Sequence, residues 1–538
     1  MFSKIFSAVK GWLAKMGLIQ SINSVTEFAA VIESQWMYNR VLIWRALYRG
    51  YLGNVDSVPF HDAEFVDVTG EKHHRHRATL MMPKIACEKM ASLVFNEKCK
   101  INIGAVKSAG ANMTDSNTGN DSSNSTDIDT FSDNIFGVLS DNEFYKQFQR
   151  WIEYMFALGG LVAKPYVENG KIKITWVTAQ NFLPLQSTND NIRAGVFLDE
   201  TRQGKKYYTH LEWHTWDNTD TYHIINELYV SDSPDDLGVK VSLNTLPQYG
   251  NMDKDIIVNG LTHPLFVYFK PNIANNFETL SPLGISLFSN SLDTLKSLDI
   301  AFDSFQREFA LGKRRIIVPA SAIRAVYDNK DGSVHRYFDT NDEVYQAMQA
   351  GEMDTEQIKD MAVALRVTDH VAAIKSLLDM LAMQMGFSSG TFTFDGQAVR
   401  TATEVISENS DTFRTKNSHE TLIEHGIKEL VDVIAQLADL YGMFTNPGAD
   451  NYEVTVDFDD SIADDRVQNA NFYVTMNAAG MIPKQLAIQR IFDITEDQAK
   501  QWMDMLKAEG AQVNDQLMNG LVTGAEQGVK NADYQARA

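Results

Sequence analysis

At 538 residues the chain is too long for one ordinary core and implies two to four packed modules, while 44% hydrophobic and 22% charged residues exclude global disorder and a fibrous repeat. The net charge of -22, from 48 Lys plus Arg against 70 Asp plus Glu and with no long basic tail, disfavours tight wrapping of nucleic acid. Two cysteines, Cys87 and Cys99, are too few for a disulfide framework or a four-ligand zinc site, which fits a reducing cytoplasm.

The first sixteen residues set Phe2, Ile5, Phe6, Val9, Trp12 and Leu13 on one face, with Lys4, Lys10 and Lys15 elsewhere. This short basic amphipathic stretch is read as a helix docking on its own protein or on a neighbour, with contact to a membrane surface as the alternative. No small-x-small cleavage site follows it and no run of about 18 apolar residues exists, so neither export nor a membrane span is expected. To about Asn96 the chain reads as helical, through Trp36, Tyr38, Val41, Leu42, Trp44 and Leu47, then through Met81, Ile85, Met90, Leu93 and Val94. Between these helices, Glu71-Lys-His-His-Arg-His-Arg77 resembles a metal or phosphate patch but has no carboxylate or thiol at ligand spacing, so it is read as a solvated loop or a subunit contact. Ser108 to Asp133, rich in Ser, Asn, Asp, Thr and Gly, is expected to be a mobile loop.

A helix around Asn142 to Ala157 gives way to short alternating runs. Leu161 to Val167 and Lys171 to Val177 are joined by Glu168-Asn-Gly170, where Asn-Gly supplies the positive φ of a tight hairpin turn. Further runs at Tyr207 to Trp216, Tyr222 to Val230 and Leu265 to Phe269 extend this into an antiparallel β-rich module over roughly Leu161 to Lys270. His210 and His214 would share a strand face without a third ligand nearby, and are read as ordinary strand surface.

From Ser281-Pro282 onward, Phe288, Leu292, Leu295, Leu298, Phe302, Phe305 and Phe309 step by three and four toward Gly312, a helix stop. Lys313, Arg314 and Arg315 follow, then β-like Ile316-Ile-Val-Pro319 and an insertion of mixed character to about Arg366. A second helix shows Val371, Ile374, Leu378, Leu381 and Met385 at the same spacing, so two striped helices bracket a small α/β module. Past it, Phe387-Ser-Ser-Gly-Thr-Phe-Thr-Phe-Asp-Gly396 combines loop formers with three phenylalanines, and Thr401-Ala-Thr-Glu404 has the form of a capping box. The helix it opens carries Ile423, Ile427, Leu430, Ile434, Leu437 and Tyr441, with Gly442 at its end. A strand from Tyr452 to Phe458 and shorter helices to about Gly510 follow, and Gly520 to Ala538 reads as frayed.

This order of elements, and above all Gly386 to Asn417, resembles the portal proteins of tailed phages, especially those infecting Gram-positive bacteria. The resemblance implies an α+β, mainly helical, portal-type fold with wing, stem helices, inserted α/β clip and helical crown. By it, residues 1–280 are the wing, 281–311 the first stem helix (Phe288 to Leu311 its body) and 312–368 the clip. Residues 369–386 (His370 to Met385) are the second stem helix, 387–400 the tunnel loop, 401–442 a long wing helix and 443–538 the crown and tail. It further implies a ring of copies, typically a dodecamer, passing double-stranded DNA without sequence specificity. Its partners would be the terminase large subunit, a head-completion or adaptor protein, and the major capsid and scaffolding proteins. The protein would be assembled in the host cytoplasm and end in the virion, without a membrane or a cofactor.

Ser388, Ser389, Thr391, Phe392, Thr393, Phe394, Asp395 and Gln397 are then the candidate DNA-facing residues, with Thr391, Thr393, Asp395 and Gln397 toward the bore and Phe392 and Phe394 between subunits. An internal loop pinned by the aromatics is the alternative. Lys313, Arg314 and Arg315 are candidates for transient phosphate contact, or simply cations favoured by a helix C-terminus. No catalytic or metal residue is assigned. Leu311-Gly-Lys-Arg-Arg315 lacks the leading glycine and hydroxyl residue of a phosphate-binding loop. Asp457 and Asp459 share a strand face and, with Asp460, Asp464 and Asp465, loosely imitate a two-metal nuclease, but no basic residue or histidine accompanies them to bind a scissile phosphate, and a solvated strand end is the reading adopted.

Overall fold

In a computed structural model, the described residues are 25–50, 61–66, 70–106, 121–188, 191–217, 221–233, 236–311, 315–317, 324–327, 334–337, 359–361, 364–393, 410–458, 466–492 and 499–507. Both helices and strands are present, as an α+β chain requires, with more residues in helix. The chain divides into two compact units: Met1–Gly396 with Glu408–Asp459, and Gln397–Ser407 with Asp460–Ala538.

In the larger unit, α1 (Val25–Arg49) buries Met37, Tyr38, Val41, Trp44 and Leu47, whereas Trp36, at 70% exposed, and Leu42 leave the stripe expected of them. The α2 helix (Met82–Val94) begins after Met81, whose φ of 55° breaks the backbone. Its buried face is therefore Met82, Ala86, Met90 and Val94, and Ile85 points outward. Together with α4 (Phe144–Leu158), these helices pack an aromatic centre in which the Phe148 ring lies 4.9 Å from Phe95, 5.3 Å from Trp176 and 5.7 Å from Phe269.

Three expectations for this unit are corrected. The basic cluster is not a loop: β2 (Lys72–His76) pairs antiparallel with β1 (Asp62–Val66), in a hairpin set by register Ala63↔Arg75. The loop expected from Ser108 to Asp133 is helical from Asp121 on, since α3 (Asp121–Asp141) buries Ile128, Phe131, Ile135 and Leu139 at three-four spacing. Four apolar residues so spaced hold a helix that a Ser- and Asp-rich composition alone would not. His210 and His214 are interior, not surface. His214 sits in a buried chain in which Lys164 Nζ lies 2.5 Å from Glu212 Oε2, Glu212 Oε1 2.8 Å from His214 Nε2, and His214 Nδ1 2.7 Å from the Tyr222 hydroxyl.

The hairpin of β4 (Leu161–Glu168) and β5 (Lys171–Thr178) forms as expected, with φ of 52° at Asn169 and 72° at Gly170. A third strand, β12 (Val267–Phe269), pairs with β4. A second sheet is built from β6 (Phe182–Thr188), β7 (Asn191–Gln203), β8 (Lys206–Trp216), β9 (Tyr222–Ser231), β10 (Val239–Val241) and β11 (Asp255–Val258), the last two both pairing with β9.

The helix α5 spans Leu292–Leu311, so Phe288 falls in the turn before it, fully buried, and not on a helix starting near Ser281. After it come β13 (Arg315–Ile317), β14 (Arg324–Tyr327), β15 (Val334–Tyr337) and β16 (Lys359–Met361), with β13 pairing β16 and β14 pairing β15. Then α6 (Val367–Gln384) packs on α5, burying Ile374, Leu378, Leu381 and Ala382. The α7 helix (Ser410–Leu440) ends before Gly442, where φ is 62°; the capping box at Thr401 to Glu404 lies outside the described residues. On α7, Gly426 admits the Phe269 ring, which a Cβ there would meet at 2.4 Å. Finally β17 (Tyr452–Asp457) pairs with β3 (Lys100–Ala105), joining positions some 350 residues apart in the chain.

The smaller unit contains α8 (Arg466–Ala478), α9 (Lys484–Phe492) and a helical stretch over 499–507, with Phe492 and Trp502 in ring contact at 5.2 Å.

Candidate functional site

The segment after α6 is held at three points. Gly386, at φ 77°, turns the chain where any Cβ would strike the Thr415 side chain at 2.6 Å, and Phe387 N donates back to Ala382 O at 2.8 Å. Phe387 is buried and meets the half-buried Phe392 edge to face at 5.1 Å. Ser388 and Thr412 of α7 bond to one another: Ser388 N donates to Thr412 Oγ1 at 2.8 Å and Thr412 N donates to Ser388 Oγ at 3.2 Å. Gly390 N donates to Asp379 of α6 at 2.9 Å, and Lys89 of α2 reaches the Thr391 carbonyl at 3.3 Å with its ammonium 5.8 Å from the Phe392 ring. Burial lowers the Lys89 pKa from its ordinary value. Thr391 and Thr393 hydroxyls fold back onto Ser388 O and Gly390 O, at 2.6 and 3.0 Å.

Of the residues assigned to this loop, Ser388 is therefore an internal anchor, Ser389 is exposed, and Thr391, Phe392 and Thr393 are half-buried. Within the subunit the Phe392 ring packs on Phe387. Phe394, Asp395 and Gln397 lie outside the described residues, as do Lys313 and Arg314; Arg315 opens β13 opposite Met361. The anchors Lys89, Asp379 and Thr412 were missed by sequence reasoning, because each sits on a different helix and nothing in their local spacing marks them.

Near the C-terminal end of α5 and the start of α6, the Arg366 guanidinium bonds Glu308 at 3.2 and 2.9 Å, and His370 lies 3.7 Å from the same carboxylate. Hydrogen bonding to Arg366 holds the Glu308 carboxyl down at about 2. The exposed residues Ile300 and Phe309 on α5, and Val371, Met380 and Met383 on α6, leave apolar surface uncovered within the subunit.

The family model for phage portal protein, SPP1 Gp6-like, matches residues 42–514. The chain belongs to that family. No curated protein matches it. Portal membership makes it a structural component of the virion that assembles as an oligomeric ring with the capsid. Among the described residues no helix is long and apolar enough to cross a membrane, and no group of three His, Cys, Asp or Glu is placed to hold a metal ion. Of the acidic run considered for nuclease chemistry, Asp457 is exposed and accepts from Asn102 at 2.7 Å, while Asp459, Asp460, Asp464 and Asp465 lie outside the described residues.

Proposed function

We propose that this portal chain forms a ring, typically of twelve copies, at one capsid vertex, and that the bore of that ring passes the double-stranded genome during packaging and ejection. The family match over residues 42–514 carries the reading. Among the described residues, the order α5, four short strands, α6 supports the assignment of 281–311 and 369–386 as stem and of 312–368 as a clip that would dock the terminase large subunit and then a head-completion or adaptor protein. Residues 1–280 and 401–442 would be wing, facing the capsid and scaffolding proteins, and 443–538 crown.

The charge is suited to such a bore. Rotational symmetry multiplies each residue into a ring, so a subunit of net charge -22 gives a strongly acidic assembly. Acidic walls repel phosphates and hold the duplex near the axis, whereas many Lys or Arg contacts would release counterions and create drag. Thr391, Thr393, Asp395 and Gln397, with exposed Ser389, would present short polar groups to passing DNA, without base readout. Lys313, Arg314 and Arg315 would supply the sparse phosphate contact at the stem and clip junction.

Electron microscopy of the purified protein, with native mass spectrometry for subunit number, tests this. Closed rings with an open centre wide enough for a duplex are expected; closed assemblies without a bore, or a monomer under every salt and concentration, would overturn it.

A further inference from the structure

The β1–β2 hairpin is bonded to α5 through two aspartates one turn apart. Arg75 grips Asp303 with both terminal nitrogens, at 2.6 and 2.7 Å, and buried His61 Nε2 lies 2.8 Å from buried Asp299 Oδ2. The same two carboxylates also accept backbone amides from the connector that leaves the hairpin, Ala78 N on Asp303 and Leu80 N on Asp299, each at 3.3 Å. Arg77 N closes the hairpin onto His61 O at 2.6 Å. Bidentate, charge-assisted pairs of this kind are among the stronger hydrogen bonds available to a protein. On the other face of the hairpin, Lys72 is neutralised by Glu64 at 2.6 Å, which leaves little charge there to attract an anion.

The connector runs directly into α2. That helix is about 20 Å long at 1.5 Å per residue, and its buried face and the contact of Lys84 with Glu153 of α4 seat it in the core. Past its middle, Lys89 holds the Thr391 carbonyl and sits by Phe392. The connector just ahead of this helix thus carries the clasp on α5, and the helix itself, past its middle, carries a clasp on the 387–393 segment.

We infer that the β1–β2 hairpin and α2 form a strut that fixes α5 and the base of the 387–393 segment relative to one another, so that freeing either end loosens the other. The geometry of this chain carries the inference; only its meaning for DNA passage rests on the portal reading. Coupling of this kind is reciprocal, which makes it testable from both ends.

The test is amide hydrogen exchange on the full-length protein, in the assembly state in which it purifies. R75Q is expected to speed exchange at Ala78 and Leu80 by about tenfold, and to speed it measurably at Gly390 and Thr391. K89M should do the converse, loosening Ala78 and Leu80 as well as Thr391. The amides of Ile152 to Phe156 in the α4 core serve as the control for global stability. If R75Q disturbs them, the milder R75K, which keeps the charge and loses the fork, is read in the same way. Responses confined to the mutated end would overturn the strut. An R75Q effect at Gly390 that persists in an R75Q/K89M protein would also overturn it, because the path would then run through α6 and Asp379.

Discussion

Ser388 and Thr412 satisfy one another across 24 residues of chain: the amide of each donates to the hydroxyl of the other, at 2.8 and 3.2 Å, and the two hydroxyls lie 3.2 Å apart. Both residues are buried. The pair fixes where the segment leaving α6 meets the first turn of α7, and therefore where anything projecting beyond Thr393 must start.

Thr412→Val keeps the shape and removes the hydroxyl, leaving Ser388 N without its acceptor in a buried site. A loss of about 1–3 kcal/mol is expected, read as a lower denaturant midpoint at unchanged slope. Thr412→Ser should stay close to wild type. Equal stability of the Val and Ser variants would mean that the hydroxyl is not the anchor.

His419 on α7 accepts from Asn272 N at 3.0 Å through Nδ1 and packs on Phe156 at 4.9 Å. Burial pushes its pKa down to about 4 from an ordinary 6.5. The folded state therefore resists the proton that the unfolded chain takes up. The site costs nothing above pH 6.5, and stability falls as pH drops from 6.5 toward 4, by on the order of 3 kcal/mol in all. Urea unfolding of His419→Asn at pH 7, 5.5 and 4.5 should show a shallower decline than wild type; parallel declines would place the acid sensitivity elsewhere.

Gly426→Ala puts a methyl group 2.4 Å from the Phe269 ring, which is itself pinned between Phe148 and Trp176. Overpacking should cost about 1–3 kcal/mol. Phe269→Leu makes room, so the double variant is expected to lose less than the sum of the two single changes. Strict additivity in thermal unfolding would contradict the contact.

Met383, 69% exposed on α6, belongs to the apolar surface that a ring of copies would cover. Met383→Glu is expected to reduce the ring fraction in native mass spectrometry while leaving the helical circular dichroism of the subunit unchanged. Undiminished rings would show that this residue lies off the subunit interface.

Features that depend on neighbours a few residues away are legible in the amino-acid order. The Asn169-Gly170 turn, the Ile374, Leu378 and Leu381 face of α6 (though not its exposed Val371), the stop at Gly442 and the order of helix, inserted strands and helix that carries the family resemblance are all set by local backbone preference and by three-four spacing. Where that spacing is diluted the local signal is lost: Ile128, Phe131, Ile135 and Leu139 make a helix out of a tract whose composition suggests a loop, and seven charged or imidazole side chains in a row, Glu71 to Arg77, conceal the strand at Lys72–His76. The pairings of Ser388 with Thr412, Arg75 with Asp303, Lys89 with Thr391 and β3 with β17 emerge only in the folded chain. Each partner is chosen by burial and by the need of a polar group removed from water to find its complement, and that complement stands on an element tens or hundreds of residues away, at no distance that sequence spacing records.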